Sequence, residues 1–203
     1  MSTPRTPPPR WITDTEPGHS QWYVERFRSM AADGADLFGE ARFIDAMVGR
    51  SARILDAGCG PGRVGGYLHS AGHDVVGADV DPVLIEAAAT DYPGPDWQVH
   101  DLATLDLRGD GGTRRKFDAI VCAGNVLAFV AADTEALVLN RLADHLADGG
   151  FIAVGFHTAK LPLDSFDAAL AETDLTLDLR LSTWDIRPWH DGADFAVSIL
   201  RRA

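Results

Sequence analysis

Positive charge is scarce in this sequence of 203 residues. The sequence has eighteen lysines and arginines and thirty aspartates and glutamates, so the formal net charge is −12. Only two of the eighteen basic residues are lysines. The one dense basic run, Arg114-Arg115-Lys116, is typical of a solvated turn. Binding a phosphate backbone needs clustered positive charge. Nucleic acids and anionic membranes are therefore excluded as predicted partners, and a small or basic ligand is favoured.

Long apolar runs and cysteines are also few. The longest uncharged apolar stretch, Ala119 to Ala132, has fourteen residues, whereas a membrane-spanning helix needs about 20. Two cysteines, Cys59 and Cys122, cannot build a multi-disulfide scaffold. The N-terminus lacks the apolar segment of a signal peptide. These absences predict a cytoplasmic protein.

The length fits one domain with modest additions. Residues 1–17 are rich in proline and polar groups, which predicts a disordered tail. Residues 18–203 are predicted to form a single domain. Its parts are a helical cap over 18–50, a ligand-binding core over 51–156 and a C-terminal helix and hairpin over 157–203.

Strand and helix patterns alternate through the core. The predicted parallel strands are Ala52–Ala57, Asp74–Asp79, Trp97–His100, Phe117–Ala123 and Phe151–Phe156. A helix is predicted from Asp133 to Gly149, before the fifth strand. Two further strands, Thr173–Thr183 and Phe195–Arg201, have no helix between them and should pair antiparallel. The predicted fold is α/β: a doubly wound, Rossmann-like seven-stranded sheet, mostly parallel, with one antiparallel strand and an N-terminal helical cap.

A glycine-rich segment follows the first predicted strand: Ile54-Leu55-Asp56-Ala57-Gly58-Cys59-Gly60-Pro61-Gly62-Arg63. Glycines at the start of a helix let the backbone approach a ligand and offer free N–H groups. The spacing from Gly60 also satisfies a dinucleotide fingerprint, with Asp79 nineteen residues later. However, the Asp56 carboxylate would repel a pyrophosphate and attract an ammonium or sulfonium ligand. The segment therefore favours a cationic ligand.

The pattern acidic-x-Gly-x-Gly-x-Gly, filled here by Asp56, Gly58, Gly60 and Gly62, resembles the first motif of class I S-adenosylmethionine (SAM)-dependent methyltransferases. The resemblance implies SAM as methyl donor, S-adenosylhomocysteine (SAH) as product, and in-line methyl transfer to a small-molecule acceptor by a monomer or homodimer. Two alternatives are a nicotinamide-dependent oxidoreductase that uses the overlapping glycine pattern, and a nucleoside-binding protein of the same fold without turnover.

The resemblance continues along the chain and implies further donor-binding residues. Asp79 ends a strand similar to the one whose acid binds the ribose hydroxyls, and Val80 would pack on the adenine face. Asp101 and Leu102 resemble the third-strand motif, in which the carboxylate and the next backbone N–H contact adenine; a turn carboxylate is the alternative for Asp101. Cys59 and Gly124 complete the predicted donor-binding set.

The acceptor chemistry is less clearly marked. Amino-group methylating families often carry Asn/Asp-Pro-Pro-aromatic after the fourth strand, and this chain has Cys122-Ala123-Gly124-Asn125-Val126 instead. Asn125 is a candidate substrate contact or a turn residue. His157, directly after the fifth strand, is the candidate base or substrate contact, with a loop histidine as the alternative. No metal site is predicted, and oxygen, nitrogen, sulfur and metalloid acceptors stay open.

Aromatic residues recur along the predicted N-terminal helix at three- and four-residue steps. They are His19, Trp22, Tyr23 and Phe27. The resemblance implies that this segment forms a lid over the donor, as it does in many relatives. A stripe that simply packs the helix onto the core is the alternative.

Overall fold

The computed structural model describes residues 6–203, and seven strands and eight α-helices lie within them. The helices are α1 (Arg10–Thr13), α2 (His19–Ala32), α3 (Gly39–Met47), α4 (Arg63–Ser70), α5 (Pro82–Asp91), α6 (Val126–Phe129), α7 (Glu135–Asp144) and α8 (Leu163–Ala171). The strands are β1 (Arg53–Ala57), β2 (Asp74–Asp79), β3 (Asp96–Val99), β4 (Phe117–Cys122), β5 (Leu146–His157), β6 (Leu175–Leu181) and β7 (Phe195–Arg202). Among the described residues, no helix has both the length and the apolar character to cross a membrane.

The seven strands form one sheet in the order β3-β2-β1-β4-β5-β7-β6. The neighbours from β3 to β5 pair parallel, and β7 pairs antiparallel with both β5 and β6. The predicted fold is confirmed, including the hairpin that inserts one antiparallel strand. Asp56 in β1 lies opposite Gly77 in β2 and Val121 in β4. The carboxyl ends of these strands therefore meet at one edge of the sheet.

Helices cover both faces of the sheet, so the central strands are apolar on both sides. Ile54 of β1 packs in a core with Leu68 of α4 on one face. The next residue, Leu55, belongs to the opposite core, which also contains Leu142 of α7 and Phe166 of α8. Alternate side chains of a strand point to opposite faces. This explains why β1 and β4 lack the polar alternation of a half-exposed strand.

The helix predicted from Asp133 to Gly149 is shorter in the structure. The helix covers only Glu135–Asp144, and β5 already begins at Leu146. The cause is His145, whose side chain is fully buried and accepts a hydrogen bond from the Leu107 backbone N–H at 3.3 Å. This tertiary contact ends the helix before the glycines that the sequence pattern favoured as its end.

Part of the predicted disordered tail packs on the core. Residues 1–5 lie outside the described residues, but α1 forms within the stretch expected to be disordered. The guanidinium of Arg10 donates to the Val130 carbonyl at 2.9 Å and pairs with Glu135 at 2.7 Å. These partners are more than a hundred residues away in sequence, so local composition gave no sign of them.

Candidate active site

Three glycines turn the chain from β1 into α4. Gly58, Gly60 and Gly62 have φ angles of 74°, 54° and 85°, in the left-handed region that other residues rarely adopt. A Cβ at Gly58 would lie 2.5 Å from Val126, whereas the nearest atom to a Cβ at Gly60 is 3.8 Å away, in Tyr23. Gly60 is therefore the point of the loop at which a ligand can approach the main chain closely.

Asp56 is buried below this loop, with 2% of its surface exposed. Its Oδ2 accepts a hydrogen bond from the Gly65 N–H at 2.8 Å, so its direct partner is a backbone group rather than a cation. Burial raises the pKa of Asp56 to about 7, against the opposing influence of the Gly65 N–H and the Arg63 charge. Burying an ionised carboxylate without a counter-charge is costly. A cationic ligand near Asp56 would relieve that cost.

Asp79 ends β2 beside the same loop. One carboxylate oxygen accepts from the Gly60 N–H at 2.9 Å and the other from the Asp81 N–H at 3.0 Å. Burial raises the pKa of Asp79 to about 6, and these backbone hydrogen bonds oppose the shift. The side chain thus fixes the loop conformation at Gly60 and brings a second buried carboxylate into the site.

The chain after β3 supplies the third acidic group. The backbone N–H of His100 donates to the Asp79 carbonyl at 2.7 Å, which joins this segment to β2. Asp101 accepts from the Ala103 N–H at 2.9 Å and so begins a short 3-10 turn over Leu102–Thr104. One Asp101 oxygen therefore stabilises a turn, which is the alternative to adenine binding for this residue.

These groups surround a cavity of about 830 Å³, counting the part open to solvent. The predicted site residues that line it are Asp56, Gly58, Cys59, Gly60, Asp79, Val80, Asp101, Leu102, Gly124, Tyr23 and Phe27. The predicted residues that do not line it are Gly62, His19, Trp22, Asn125 and His157. The fold thus gathers nearly all the predicted donor-binding residues, and it separates the acceptor candidates from them.

Asn125 and His157 contact each other beside the cavity. Asn125 has a left-handed backbone with φ 68°, and its Oδ1 accepts from the His157 backbone N–H at 2.7 Å. The His157 ring is exposed, lies 3.3 Å from the Asp194 carbonyl through Nδ1, and packs edge-on to Phe195. In the structure this pair joins the ends of β4 and β5, and their catalytic roles stay predictions.

Four aromatic side chains from the helices line the cavity, and we call them the aromatic roof: Trp11, Tyr23, Phe27 and Phe129. The ring of Tyr23 lies edge-on to Phe27 at 4.9 Å and to Trp11 at 5.3 Å. Trp11 is 5.7 Å from Phe129 and donates its indole N–H to Asp81 at 2.8 Å. The roof thus spans the cavity from the β2 side to the β4 side.

Sequence reasoning missed Trp11 and Phe129, and with them Pro9 and Val130, which also line the cavity. A tryptophan inside a proline-rich leader was the available signal. Such a large, mostly apolar side chain usually finds a buried environment and a partner for its N–H. The proline content of the leader outweighed this signal in the prediction.

The other aromatic residues of α2 lie outside the cavity. His19 packs edge-on against Trp11 at 4.9 Å, and Trp22 is 55% exposed. Tyr23 and Phe27 are four residues apart and therefore share one helix face. Of the predicted lid residues, only Tyr23 and Phe27 line the cavity.

A partly buried ion pair joins the helical cap to the glycine loop. Arg63, the first residue of α4, donates to Glu40 of α3 at 2.8 Å, and both side chains are less than one-fifth exposed. Burial alone would raise the pKa of Glu40, but the hydrogen bonds and charge of Arg63 hold it below its ordinary value. Glu40 thus offsets much of the positive charge that Arg63 brings beside the buried carboxyls of Asp56 and Asp79.

The residues present fit a nucleoside that carries a positive charge. Gly60 leaves the backbone open, and among residues 6–203 no cation is in direct contact with the buried carboxylates of Asp56 and Asp79. A dinucleotide would instead bring two phosphates next to these groups, which Coulomb repulsion disfavours. The fold and the site together are suited to a cationic nucleoside at the carboxyl edge of a Rossmann-like sheet.

Comparisons with known proteins show that this chain is similar to methyltransferases. A family model described as "Methyltransferase domain" matches residues 54–150. A TehB-like SAM-dependent methyltransferase from Corynebacterium glutamicum is 40% identical with a TM-score of 0.86, over 93% of this chain and 100% of that one. The search of curated proteins found no significant match.

Two more distant structures share the fold. A SAM-dependent methyltransferase from Clostridium acetobutylicum is 12% identical with a TM-score of 0.74, over 90% of this chain and 98% of that one. A didemethyltoxoflavin methyltransferase from Burkholderia thailandensis, with its acceptor and SAH bound, is 19% identical with a TM-score of 0.62, over 100% of this chain and 93% of that one.

The chain belongs to the class I SAM-dependent methyltransferases. It is an enzyme that uses SAM as methyl donor, and the nicotinamide alternative is thereby set aside.

Proposed function

We propose that the enzyme transfers the methyl group of SAM to a compact small-molecule acceptor that enters beneath the aromatic roof. The observation that carries the proposal is the roofed cavity. Trp11 is tied to the β2 side through Asp81, and Arg10 ties the same segment to Val130 on the β4 side. A folded macromolecule would have to displace this segment to reach the glycine loop, whereas a compact molecule needs only the opening beside it.

The donor half of the cavity is proposed to bind SAM through the residues that the family motifs mark. Asp79 accepts from the ribose hydroxyls, since a carboxylate can accept from both at once. Val80, Asp101 and Leu102 surround the adenine, and the glycine loop around Gly60 lies against the amino-acid portion. SAM supplies an activated methyl group on a cationic sulfur. Asp56 contributes negative charge to this side of the cavity.

Alignment of donor and acceptor is proposed as the main source of rate enhancement. Holding two reactants in line can contribute up to about 7–11 kcal/mol. A general base is needed only for an acceptor that is protonated at the working pH. Burial raises the pKa values of Tyr23 and Cys59, so both stay protonated near neutrality and neither supplies a base.

His157 and Asn125 are proposed to contact the part of the acceptor that extends out of the cavity, beyond the ends of β4 and β5. Because neither side chain lines the cavity, we expect His157→Ala to slow turnover less than tenfold, a size that fits a positioning contact rather than an essential base. Steady-state turnover with the best acceptor, set beside SAH affinity, measures this effect. A loss of a hundredfold or more would instead make His157 the base.

A methyl-transfer assay against mixed acceptors tests the proposed function. SAH release is measured with metabolites that offer oxygen, nitrogen, sulfur or metalloid nucleophiles, and in parallel with unfolded peptides, a protein extract and RNA. We expect turnover with a compact metabolite and none with the macromolecules. Methylation of protein or RNA alone would contradict the proposal. Tight SAH binding without any methylated product would favour the nucleoside-binding protein instead.

A further inference from the structure

SAM and SAH differ by one methyl group and one positive charge, and they share the adenosine and amino-acid portions. A residue that contacts only the shared portions cannot distinguish donor from product by much. Discrimination in favour of the donor requires a group near the sulfur that responds to positive charge. Carboxylates and the faces of aromatic rings are the groups with this property.

The four rings of the aromatic roof are not equally available to a cation. The guanidinium of Arg63 lies 5.4 Å from the ring centroid of Phe27, and that of Arg26 lies 5.9 Å from it. The ammonium of Lys160 lies 5.0 Å from the centroid of Phe129. Within residues 6–203, no such cation stands over Trp11 or Tyr23. No arginine or lysine of the described residues therefore competes with a cationic ligand for these two rings, although the His19 ring stacks on Tyr23 with 6.3 Å between the ring centroids.

Of these two rings, Tyr23 is the one beside the glycine loop. Its Cε1 lies 3.8 Å from the position that a Cβ on Gly60 would take, and the Gly60 N–H is bonded to Asp79. Trp11 lies behind it, edge-on at 5.3 Å, and is held in place by Asp81. The ring of Tyr23 thus lies between the glycine loop and Trp11, and it lines the same cavity as the buried carboxylates of Asp56 and Asp79.

We propose that the ring of Tyr23 recognises the positive charge on the sulfur of SAM, so that the enzyme holds its donor in preference to the uncharged product. The inference concerns the donor and is independent of which acceptor is methylated. Desolvated cation–π contacts are the strong ones. Tyr23 is half-buried between Trp11 and Phe27, which gives the contact this character.

Isothermal titration of SAM and SAH into the full-length protein tests the proposal without any turnover. The quantity compared is the ratio of the two affinities. A loss of packing weakens the binding of both ligands by a similar factor, and that factor cancels in the ratio. We expect Tyr23→Leu to lower the SAM affinity roughly tenfold and the SAH affinity less than twofold. Tyr23→Phe, which keeps the ring, should keep the ratio of the unsubstituted protein.

Phe27→Leu is the matched control, because Phe27 lies on the same helix face and lines the same cavity but already carries Arg63. It should change both affinities by a similar factor.

Should Tyr23→Leu fail to fold, phenylalanines with increasing numbers of ring fluorines at position 23 keep the shape and weaken the negative face of the ring. SAM affinity should then fall stepwise while SAH affinity stays level. An unchanged affinity ratio in Tyr23→Leu or across the fluorinated series would overturn the proposal. The proposal would also be overturned if Tyr23→Phe lowered the ratio as much as Tyr23→Leu does.

Discussion

The two halves of the cavity depend on different kinds of interaction. The donor half consists of a glycine loop and two buried acids that lie within 24 residues of one another in sequence, from Asp56 to Asp79. The roof consists of Trp11, Tyr23, Phe27 and Phe129, which belong to three helices and are joined by contacts between distant parts of the chain. The first half is a local backbone arrangement, and the second is a product of tertiary packing.

This difference predicts how each half responds to substitution. A change in the glycine loop alters a backbone conformation that few residue types can adopt, so its effect on ligand binding should be large. A change in the roof removes one contact among several, and the remaining contacts still hold the segment. The following predictions test this contrast, from the largest expected effect to the smallest.

Gly60→Val should abolish measurable SAH binding. The φ of 54° strains a β-branched residue by about 1–3 kcal/mol, and the side chain would occupy the space through which a ligand approaches the backbone. Isothermal titration with SAH measures the loss, and a thermal melt checks that the protein is folded. The matched control is Gly192→Val, which has a similar positive φ of 84° and no neighbouring atoms. If both variants bind SAH as the unsubstituted protein does, the glycine loop is not the donor site.

Asp79→Ala should weaken donor binding by about 1–3 kcal/mol, because it leaves the ribose hydroxyls without their charged acceptor. Asp79→Asn is the companion variant, since its amide oxygen can still accept from the Gly60 N–H. We expect an intermediate loss of affinity for SAH in titration. Full affinity in a folded Asp79→Ala protein would remove this residue from the site.

The pH dependence of SAM binding should reveal the buried acids. Burial places the pKa of Asp56 at about 7 and that of Asp79 at about 6, above the ordinary 3.8. These acids bind protons more strongly in the folded protein, so their contribution to ligand-free stability falls as the pH rises from about 4 to 7. A cationic donor favours the ionised forms. SAM affinity should therefore rise several-fold between pH 6 and pH 8, with release of protons.

Titrations in two buffers of different ionisation enthalpy count these protons, and melts of the ligand-free protein follow the opposite trend in stability. SAM affinity that is constant from pH 5.5 to 8 would show that the two carboxyls do not sense the donor charge.

Trp11→Phe should have the smallest effect of this series. It removes the indole N–H that bonds Asp81 but keeps an aromatic ring, which corresponds to about 1 kcal/mol and a few-fold loss of SAH affinity. Trp22→Phe is the control, because that side chain is more than half exposed and does not line the cavity. Equal effects of the two substitutions would mean that Trp11 has no particular role in the roof.

The sequence was sufficient to predict the fold and the glycine loop, because both leave local patterns. Alternating strand and helix patterns predicted a mostly parallel sheet with right-handed crossovers and helices on both faces. Positive φ angles at Gly58 and Gly60 require glycine, so the loop is visible as a motif.

The roof and the end of α7 leave no such pattern. The position of Trp11 depends on Asp81, seventy residues away, and the early end of α7 depends on the buried His145. Of the aromatic residues of α2 that were expected to face the donor, Tyr23 and Phe27 line the cavity, and His19 and Trp22 do not. Helical spacing alone does not tell which of two adjacent stripes faces inward.

Hydrogen exchange with and without SAH is the most direct test of the central claim, which is that the roof closes over a SAM site at the glycine loop. The account predicts that SAH increases protection in two separate segments, the loop over 56–63 and the roof over residues 9–32. Protection of the loop alone, with equal exchange of residues 9–32 in both states, would contradict the account and show that the N-terminal helices are merely packed on the core.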